Sequence, residues 1–150
     1  MQLNKITKED RYFKETINML YNWWKDRKDT TYEKDYNHYL ESLKDDNLPN
    51  LYALIINDTL IAVYEIDEKD GVDNAPYTPY IASIFVKEEY RGRGLLNVIM
   101  EDAFSKIKAL GYDKAYVHSR IDGLYEKYGF KQIDTIDTKD GKKRIFEKEL

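Results

Sequence analysis

The residues most suited to chemistry form a glycine- and arginine-rich segment, Arg91-Gly92-Arg93-Gly94, near the middle of the chain. An almost unbroken apolar run, residues 80–86, precedes this segment and is typical of a strand covered on both faces. Apolar residues at helical spacing follow it: Leu95, Leu96, Ile99, Met100, Ala103, Phe104, Ile107 and Leu110. The pattern therefore predicts a strand, a glycine-rich turn and a helix that begins directly after Gly94.

Such a turn can bind an anion, most naturally a phosphate or a diphosphate. The first turn of a helix carries backbone N–H groups without helical partners and the positive end of the helix dipole. Gly92 and Gly94 allow the backbone to approach a ligand without an intervening Cβ, and the two arginines add positive charge with a long reach. An ordinary strand-to-helix connection with solvated arginines is the alternative. The well-marked strand and helix on either side favour the phosphate site.

The composition excludes several classes of protein. The 150 residues, 42% of them hydrophobic and 35% charged, suffice for one well-packed domain but not comfortably for two. A formal net charge of -4 argues against a general nucleic-acid binder. The absence of cysteine excludes disulfides, thiolate metal sites and a cysteine nucleophile. No apolar run reaches the roughly 18 residues of a membrane span, and the N-terminus lacks the apolar core of a signal peptide, so we expect a cytoplasmic protein without membrane partners.

Two helices are predicted near the N-terminus. Thr7 suits the N-cap of the first helix, and Thr30 and Glu33 have the spacing of a capping box that opens the second. The apolar face of the first helix comprises Phe13, Ile17, Leu20 and Trp24. The apolar side of the second comprises Tyr32, Tyr36, Tyr39 or Leu40, and Leu43. We interpret the pair Trp23-Trp24 as packing residues, at least one of them buried, rather than as a ligand-stacking platform.

Strand-like runs occupy much of the remaining chain. Strands are predicted at residues 1–6, 51–56, 60–66, 80–86, 114–118, 130–136 and 143–150. Asn57-Asp58 suits a two-residue hairpin turn, and Asp140-Gly141 marks the last turn. Gly111 is placed to end the long helix, and Gly129 to close a short one. The order is a strand, two helices, three strands, a helix, a strand, a short helix and two strands, which predicts one mixed α/β or α+β domain.

A second segment, Tyr125-Glu126-Lys127-Tyr128-Gly129-Phe130, carries a resemblance to a known family. This segment resembles the Tyr-Glu-Lys-x-Gly-Phe motif of the GNAT superfamily of acetyl-CoA-dependent N-acetyltransferases. Arg91 to Leu95 resemble a second motif of that superfamily, the acyl-CoA loop (Gln/Arg)-x-x-Gly-x-(Gly/Ala). The resemblance covers nearly the whole chain, because the order of elements matches as well. Leu96 is a departure, since the family usually has Gly or Ala there. The Leu96 side chain would have to point away from the diphosphate, and its bulk could lower the affinity of the loop for that group.

The resemblance implies the fold and the donor substrate. The fold would be a single GNAT-like domain over residues 1–150, with a mixed, mostly antiparallel sheet, helices on both faces and a splayed parallel strand pair at the cofactor cleft. Acetyl-CoA would lie between the strands that end at Val86 and His118, with its pantetheine arm paired to backbone groups like an added strand. No metal is implied. The residues implied to bind acetyl-CoA are Ile84, Phe85, Val86, Arg91, Gly92, Arg93, Gly94, Leu95, Leu96 and Tyr125.

The implied reaction is direct acetyl transfer to a primary amine through a tetrahedral intermediate. It requires a neutral amine, a hydrogen-bond donor to the oxyanion and a proton for the departing thiolate. The N–H of Val86 could supply the oxyanion contact. Tyr125 matches the family's general-acid position, so the resemblance favours it as the acid; the alternative is a tyrosine that covers the core at a helix end.

The general base is less clearly marked. The central strand offers Ser83 as an internal polar group but no carboxylate. Glu65, near the end of the neighbouring strand, could reach the cleft directly or through water, but the sequence favours a solvated strand-end charge at this position. His118 ends the strand on the other side of the cleft and is the second candidate, because histidine side chains suit acid–base work near neutral pH; it could instead be a polar strand terminus or a pantetheine contact. Loss of the amine proton to ordered water is a further alternative.

Negative charge surrounds the region that forms the acceptor site in this family. Residues 26–50 contain seven acids against five basic positions with His38 included, and residues 65–73 contain five acids and one lysine. Such a rim attracts cations, which favours a polyamine, an amino sugar or a peptide amine as the acceptor. A non-catalytic acyl-CoA-binding or sensor module is the alternative class of protein. It remains open because Leu96 departs from the family's motif and because the central strand has no carboxylate to serve as a base. The sequence leaves a monomer or a homodimer open.

Overall fold

The computed structural model of the chain describes residues 3–7, 9–26, 30–43 and 48–150, and within these residues lie seven strands and three α-helices. In chain order the elements are β1 (Asn4–Lys5), α1 (Tyr12–Trp24), α2 (Tyr32–Glu41), β2 (Asn50–Ile56), β3 (Thr59–Asp67), β4 (Tyr80–Val86), α3 (Leu95–Ala109), β5 (Lys114–His118), β6 (Lys131–Thr138) and β7 (Gly141–Glu149). The strands follow the order β1-β2-β3-β4-β5-β7-β6 in one sheet. β4 and β5 are parallel, whereas β1 with β2, β5 with β7 and β6 with β7 are antiparallel. The predicted mixed α/β fold with one parallel strand pair is confirmed.

Two compact units are distinguished within the chain. The first comprises Met1–Glu65 and Ser83–Val98, and the second comprises Ile66–Ala82 and Ile99–Leu150. Strands β3 and β4 and helix α3 each contribute residues to both units. Among the described residues, no helix is both long enough and apolar enough to cross a membrane.

The first unit has a core formed by α1, α2, β2 and β3. Its buried residues are Ile6, Phe13, Ile17, Leu20, Tyr39, Leu51, Ala53, Leu60 and Val63. Asn57 and Asp58, between β2 and β3, have φ angles of 50° and 60°. Both residues therefore adopt the left-handed conformation that a type I′ turn requires, and the predicted hairpin is confirmed.

Helix α1 begins at Tyr12, later than the sequence predicted. The N–H of Thr7 donates to the Asp10 carboxylate at 2.7 Å in a turn that precedes the helix, so Thr7 is not the N-cap. The predicted apolar face buries Phe13, Ile17 and Leu20. Trp23 and Trp24 are both half-buried and pack against the core, with ring centroids 4.3 Å apart. The expectation that one of them is buried is wrong, because the two rings cover each other at the helix end instead of entering the core.

Helix α2 is capped by Thr31, one residue later than predicted. The Thr31 hydroxyl accepts the N–H of Lys34 at 3.2 Å. The hydroxyl of Thr30 instead donates to the carboxylate of Asp35 at 2.7 Å, a partner that capping-box spacing does not reveal. On the inner side of the helix, Asp35 and Tyr39 are buried.

The second unit has a core on β4, β5 and β7 that contains Val72, Ala75, Tyr80, Tyr116 and Ile145. Within α3, the buried residues are Ile99, Met100, Ala103 and Ile107. Helix α3 begins at Leu95, as predicted, and Gly111, with φ 98°, follows its end. The short helix predicted before Gly129 is a 3₁₀ turn, Glu126–Tyr128.

Candidate functional site

The glycine-rich loop lies where the sequence predicted it, between β4 and α3 in the first unit. Gly92 and Gly94 have φ angles of 75° and 76°, in the left-handed region that residues with a Cβ rarely adopt. A Cβ added to either glycine would meet no heavy atom of the described chain within 4 Å. Backbone conformation, rather than close packing, therefore requires glycine at both positions, and the space beside them is open to a ligand.

The two arginines of the loop are exposed, and each rests on a neighbouring ring. Nε of Arg91 donates to the carbonyl oxygen of Val86 at 2.8 Å, and its guanidinium carbon lies 5.3 Å from the centre of the Phe85 ring. The guanidinium carbon of Arg93 lies 5.4 Å from the centre of the Tyr90 ring. These contacts hold two positive charges beside the start of α3, as an anion site requires.

The burial of residues along strand β4 changes at Ser83. The three residues before it are buried, whereas Ser83 and the three residues that follow, Ile84 to Val86, are half-buried. Ser83 has φ 51°, a left-handed conformation that is uncommon for a residue with a side chain. Three of these four half-buried residues, Ile84 to Val86, are those whose backbone was predicted to pair with the pantetheine arm.

Glu65, on β3, is buried instead of solvated. Its side chain is 1% exposed, and its Oε2 lies 2.8 Å from Nε2 of His38 on α2. The hydroxyl of Ser83 lies 3.4 Å from the other carboxylate oxygen, Oε1, and 3.0 Å from the hydroxyl of Tyr39. The interpretation of Glu65 as a solvated strand-end charge is therefore wrong, because α2 and β4 supply its partners. Sequence patterns indicate His38 only as a basic position and Tyr39 only as an apolar one, so neither was predicted as a partner of Glu65.

In the second unit, Tyr125 immediately precedes the 3₁₀ turn Glu126–Tyr128. Burial raises the pKa of Tyr125 to about 12, with smaller contributions from the charge of Asp70 and from Tyr128. The phenol is protonated at neutral pH, as a phenol of ordinary pKa also would be, so Tyr125 has a proton to donate. Its ring also packs edge-on against Phe130, with centroids 5.9 Å apart, so the packing role considered as an alternative is present too.

His118, at the end of β5, is held by an aspartate that the sequence analysis did not single out. Nε2 of His118 lies 2.9 Å from Oδ2 of Asp70, and the histidine side chain is 22% exposed. Asp70 itself has φ 47°. A carboxylate bound to one ring nitrogen fixes the orientation of the imidazole. Asp70 follows β3 by three residues and His118 ends β5, so sequence spacing offers no signal for this pair.

Solved structures show where else this fold occurs. A GNAT family acetyltransferase from Elizabethkingia anophelis, solved with acetyl-CoA bound, is 20% identical, with a TM-score of 0.68 over 99% of this chain and 97% of that one. The paiA N-acetyltransferase from Thermoplasma acidophilum, in complex with coenzyme A, is 16% identical, with a TM-score of 0.70 over 100% of both chains. An aminoglycoside 6′-N-acetyltransferase complexed with coenzyme A is 12% identical, with a TM-score of 0.70 over 99% of this chain and 97% of that one. These similarities establish a shared fold.

In sequence, the chain matches none of the curated proteins with which it was compared. It does match the profile of a protein family, over residues 17–130. That stretch runs from within α1 to the end of the Tyr-Glu-Lys-x-Gly-Phe segment and contains the glycine-rich loop. The chain belongs to the acetyltransferase (GNAT) family.

Proposed function

We propose that the protein is an N-acetyltransferase that transfers the acetyl group of acetyl-CoA to a primary amine of a small, cationic molecule or peptide. The glycine-rich loop carries the proposal, because Gly92 and Gly94 combine left-handed backbone with open space directly before α3. Backbone N–H groups at a helix N-terminus bind phosphate groups well when no side chain intervenes. The loop therefore fits a diphosphate.

The donor substrate is bound by the two adjoining segments of the first unit. Residues Arg91 to Leu96 bind the diphosphate, and the backbone of Ile84, Phe85 and Val86 binds the pantetheine arm. Leu96 is half-buried, so part of its side chain rests against protein, and its backbone N–H lies in the first turn of α3. The acetyl-CoA and coenzyme A present in the Elizabethkingia anophelis and Thermoplasma acidophilum structures support the same donor for this chain.

Three groups of this chain serve the transfer itself. The N–H of Val86 stabilises the oxyanion, and the neutral phenol of Tyr125 protonates the departing thiolate. Glu65 is the general base that we favour, because Ser83 links its buried carboxylate to the part of β4 that binds the thioester arm. His118, held by Asp70, is the alternative base.

The acceptor is a cationic amine. Residues 26–50 and 65–73 both carry an excess of acids, and such charge attracts an ammonium group at long range. The aminoglycoside 6′-N-acetyltransferase that shares the fold acts, by its name, on an amino sugar, which supports an acceptor of this kind. Amino sugars, polyamines and short peptides are thus the first compounds to test.

Thiol release in the presence of acetyl-CoA and a panel of these amines tests the proposal. We expect turnover with at least one cationic amine. Tyr125→Phe should lower kcat by about 10²-fold or more while leaving the Kd for acetyl-CoA nearly unchanged, since the lost proton is needed when the C–S bond breaks. Tyr128→Phe, in the 3₁₀ turn that follows Tyr125, is the matched control and should keep the parental kcat. Tight binding of coenzyme A without turnover of any amine would refute the enzyme and favour an acyl-CoA-binding module.

A further inference from the structure

Four side chains of the first unit form a continuous hydrogen-bonded network that runs from Tyr39 through Ser83 and Glu65 to the exposed His38. The hydroxyl of Tyr39 lies 3.0 Å from Oγ of Ser83, and Ser83 in turn donates to Oε1 of Glu65 at 3.4 Å. Oε2 of Glu65 lies 2.8 Å from Nε2 of His38. Because Ser83 donates to the carboxylate, its own oxygen is left to accept the hydrogen of Tyr39.

The exposure of these side chains rises steeply toward His38. The side chain of Glu65 is 1% exposed, whereas that of His38 is 42% exposed. A proton accepted by a carboxylate with so little solvent contact must leave through a hydrogen-bonded partner. Histidine is suited to this step, since its pKa lies near neutrality and its second nitrogen can pass a proton on to water.

Ser83 is the member of this hydrogen-bonded network that lies on β4. It is the first half-buried residue of β4, and its left-handed backbone, φ 51°, occurs in the middle of the strand. The residues directly after it, Ile84 to Val86, are those assigned above to the pantetheine arm. A hydroxyl at this point can contact a reacting amine and pass its proton to a carboxylate on the neighbouring strand, which explains how β4 could serve acetyl transfer without a carboxylate of its own.

We propose that Ser83, Glu65 and His38 form a proton relay that carries the amine proton to solvent; this inference rests on the N-acetyltransferase function proposed above. As the amine nitrogen bonds to the carbonyl carbon, it becomes acidic and gives a proton to Oγ of Ser83, which passes its own proton to Oε1 of Glu65. In the resting pair Nε2 of His38 donates to the ionised carboxylate, so once Glu65 is protonated the exposed imidazole exchanges through solvent to the tautomer that carries its hydrogen on Nδ1. Rotation of the carboxyl group then brings the relayed proton to the bare Nε2, and the imidazolium releases its Nδ1 proton to water, which restores the resting pair. The C–S bond breaks, Tyr125 protonates the thiolate, and solvent returns a proton to Tyr125.

Chemical rescue distinguishes this relay from a purely structural contact. His38→Ala should lower kcat for thiol release by about tenfold or more, less than removal of the base itself. Imidazole added to the medium should restore the rate in a saturable manner, because it can take the vacated place beside Glu65. Ser83→Gly, which suits the positive φ, should also lower kcat but should gain nothing from imidazole. Asn37→Ala, exposed on the same helix, is the matched control and should behave as the parent.

The outcomes separate the relay from the function on which it rests. Parental kcat in His38→Ala would overturn the relay, as would a change confined to the KM of the amine or a loss of rate that imidazole leaves unrepaired. If His38→Ala does not fold, His38→Gln takes its place: glutamine can still hydrogen-bond to Glu65 but cannot carry a proton, and parental kcat in that variant would also overturn the relay. Failure of the unmodified protein to turn over any amine would instead refute the acetyltransferase proposal.

Discussion

Gly94→Ala tests the diphosphate site with a single methyl group. Gly94 has φ 76°, and an added Cβ would meet no heavy atom of the described chain within 4 Å. The folded protein therefore has room for the methyl group. The substitution strains the backbone, and it obstructs a ligand that occupies the open space. The two effects can be measured separately, because strain lowers stability whereas obstruction lowers affinity.

The expected loss of stability is small. Left-handed backbone costs a residue with a Cβ about 1–2 kcal/mol, and the reduced freedom of the unfolded chain offsets about 0.4–1 kcal/mol of this. A net loss of about 1 kcal/mol should lower the Tm by about 2–4 °C in a domain of this size. The free energy of binding coenzyme A should change more than the free energy of unfolding, since a methyl group beside the backbone N–H groups displaces the phosphate oxygens. We expect the Kd for coenzyme A to rise at least tenfold, which corresponds to about 1.4 kcal/mol.

Gly111→Ala is the matched control for this experiment. Gly111 also has a positive φ, 98°, and open space around a Cβ, but it follows the far end of α3. Thermal melts should show a similar small destabilisation in both variants, while isothermal calorimetry should show weaker coenzyme A binding in Gly94→Ala alone. Equal Kd values for the two folded variants and the parent would refute the placement of the diphosphate on the loop.

Three further predictions concern side chains whose surroundings the structure defines. The pKa of Tyr125 is about 12, above the ordinary value of 10, so burial of the neutral phenol favours the folded state below pH 10, and this contribution to stability is lost as the pH rises from 10 to 12. Tyr125→Phe should therefore flatten the fall in stability over that pH range. It should also remove one phenol that ionises late from an absorbance titration. Thr31→Ala should lower the free energy of unfolding by about 1 kcal/mol in a denaturant melt, because Thr31 caps α2; an unchanged midpoint would contradict the capping role. Trp24→Ala should destabilise the protein by about 2 kcal/mol, less than a fully buried tryptophan, since its ring is half-buried against the core; a parental Tm with a raised KM for the amine would favour ligand stacking instead.

Signals that depend on neighbouring residues predicted the fold well. Asn57 and Asp58 adopt the left-handed backbone of a two-residue hairpin, and α3 starts directly after Gly94. In both places the conformation is determined by residues next to one another in sequence. The capping signals were less reliable, because each has competing partners nearby: Asp10 takes the N–H of Thr7 before α1 begins, and Asp35 takes the hydroxyl of Thr30.

Glu65 shows why the site could be predicted only in part. Alternation along β3 indicates which face carries the carboxylate, but the exposure of that face depends on whether another element covers it. The covering element is α2, whose His38 is 27 residues away in the sequence, and the second partner, Ser83, is 18 residues away on β4. Neither separation has a periodicity that a sequence pattern could detect. Without α2, the carboxylate of Glu65 would be a solvated charge. With α2 packed over it, the same carboxylate is the middle member of the proposed relay, so its chemistry depends on tertiary packing.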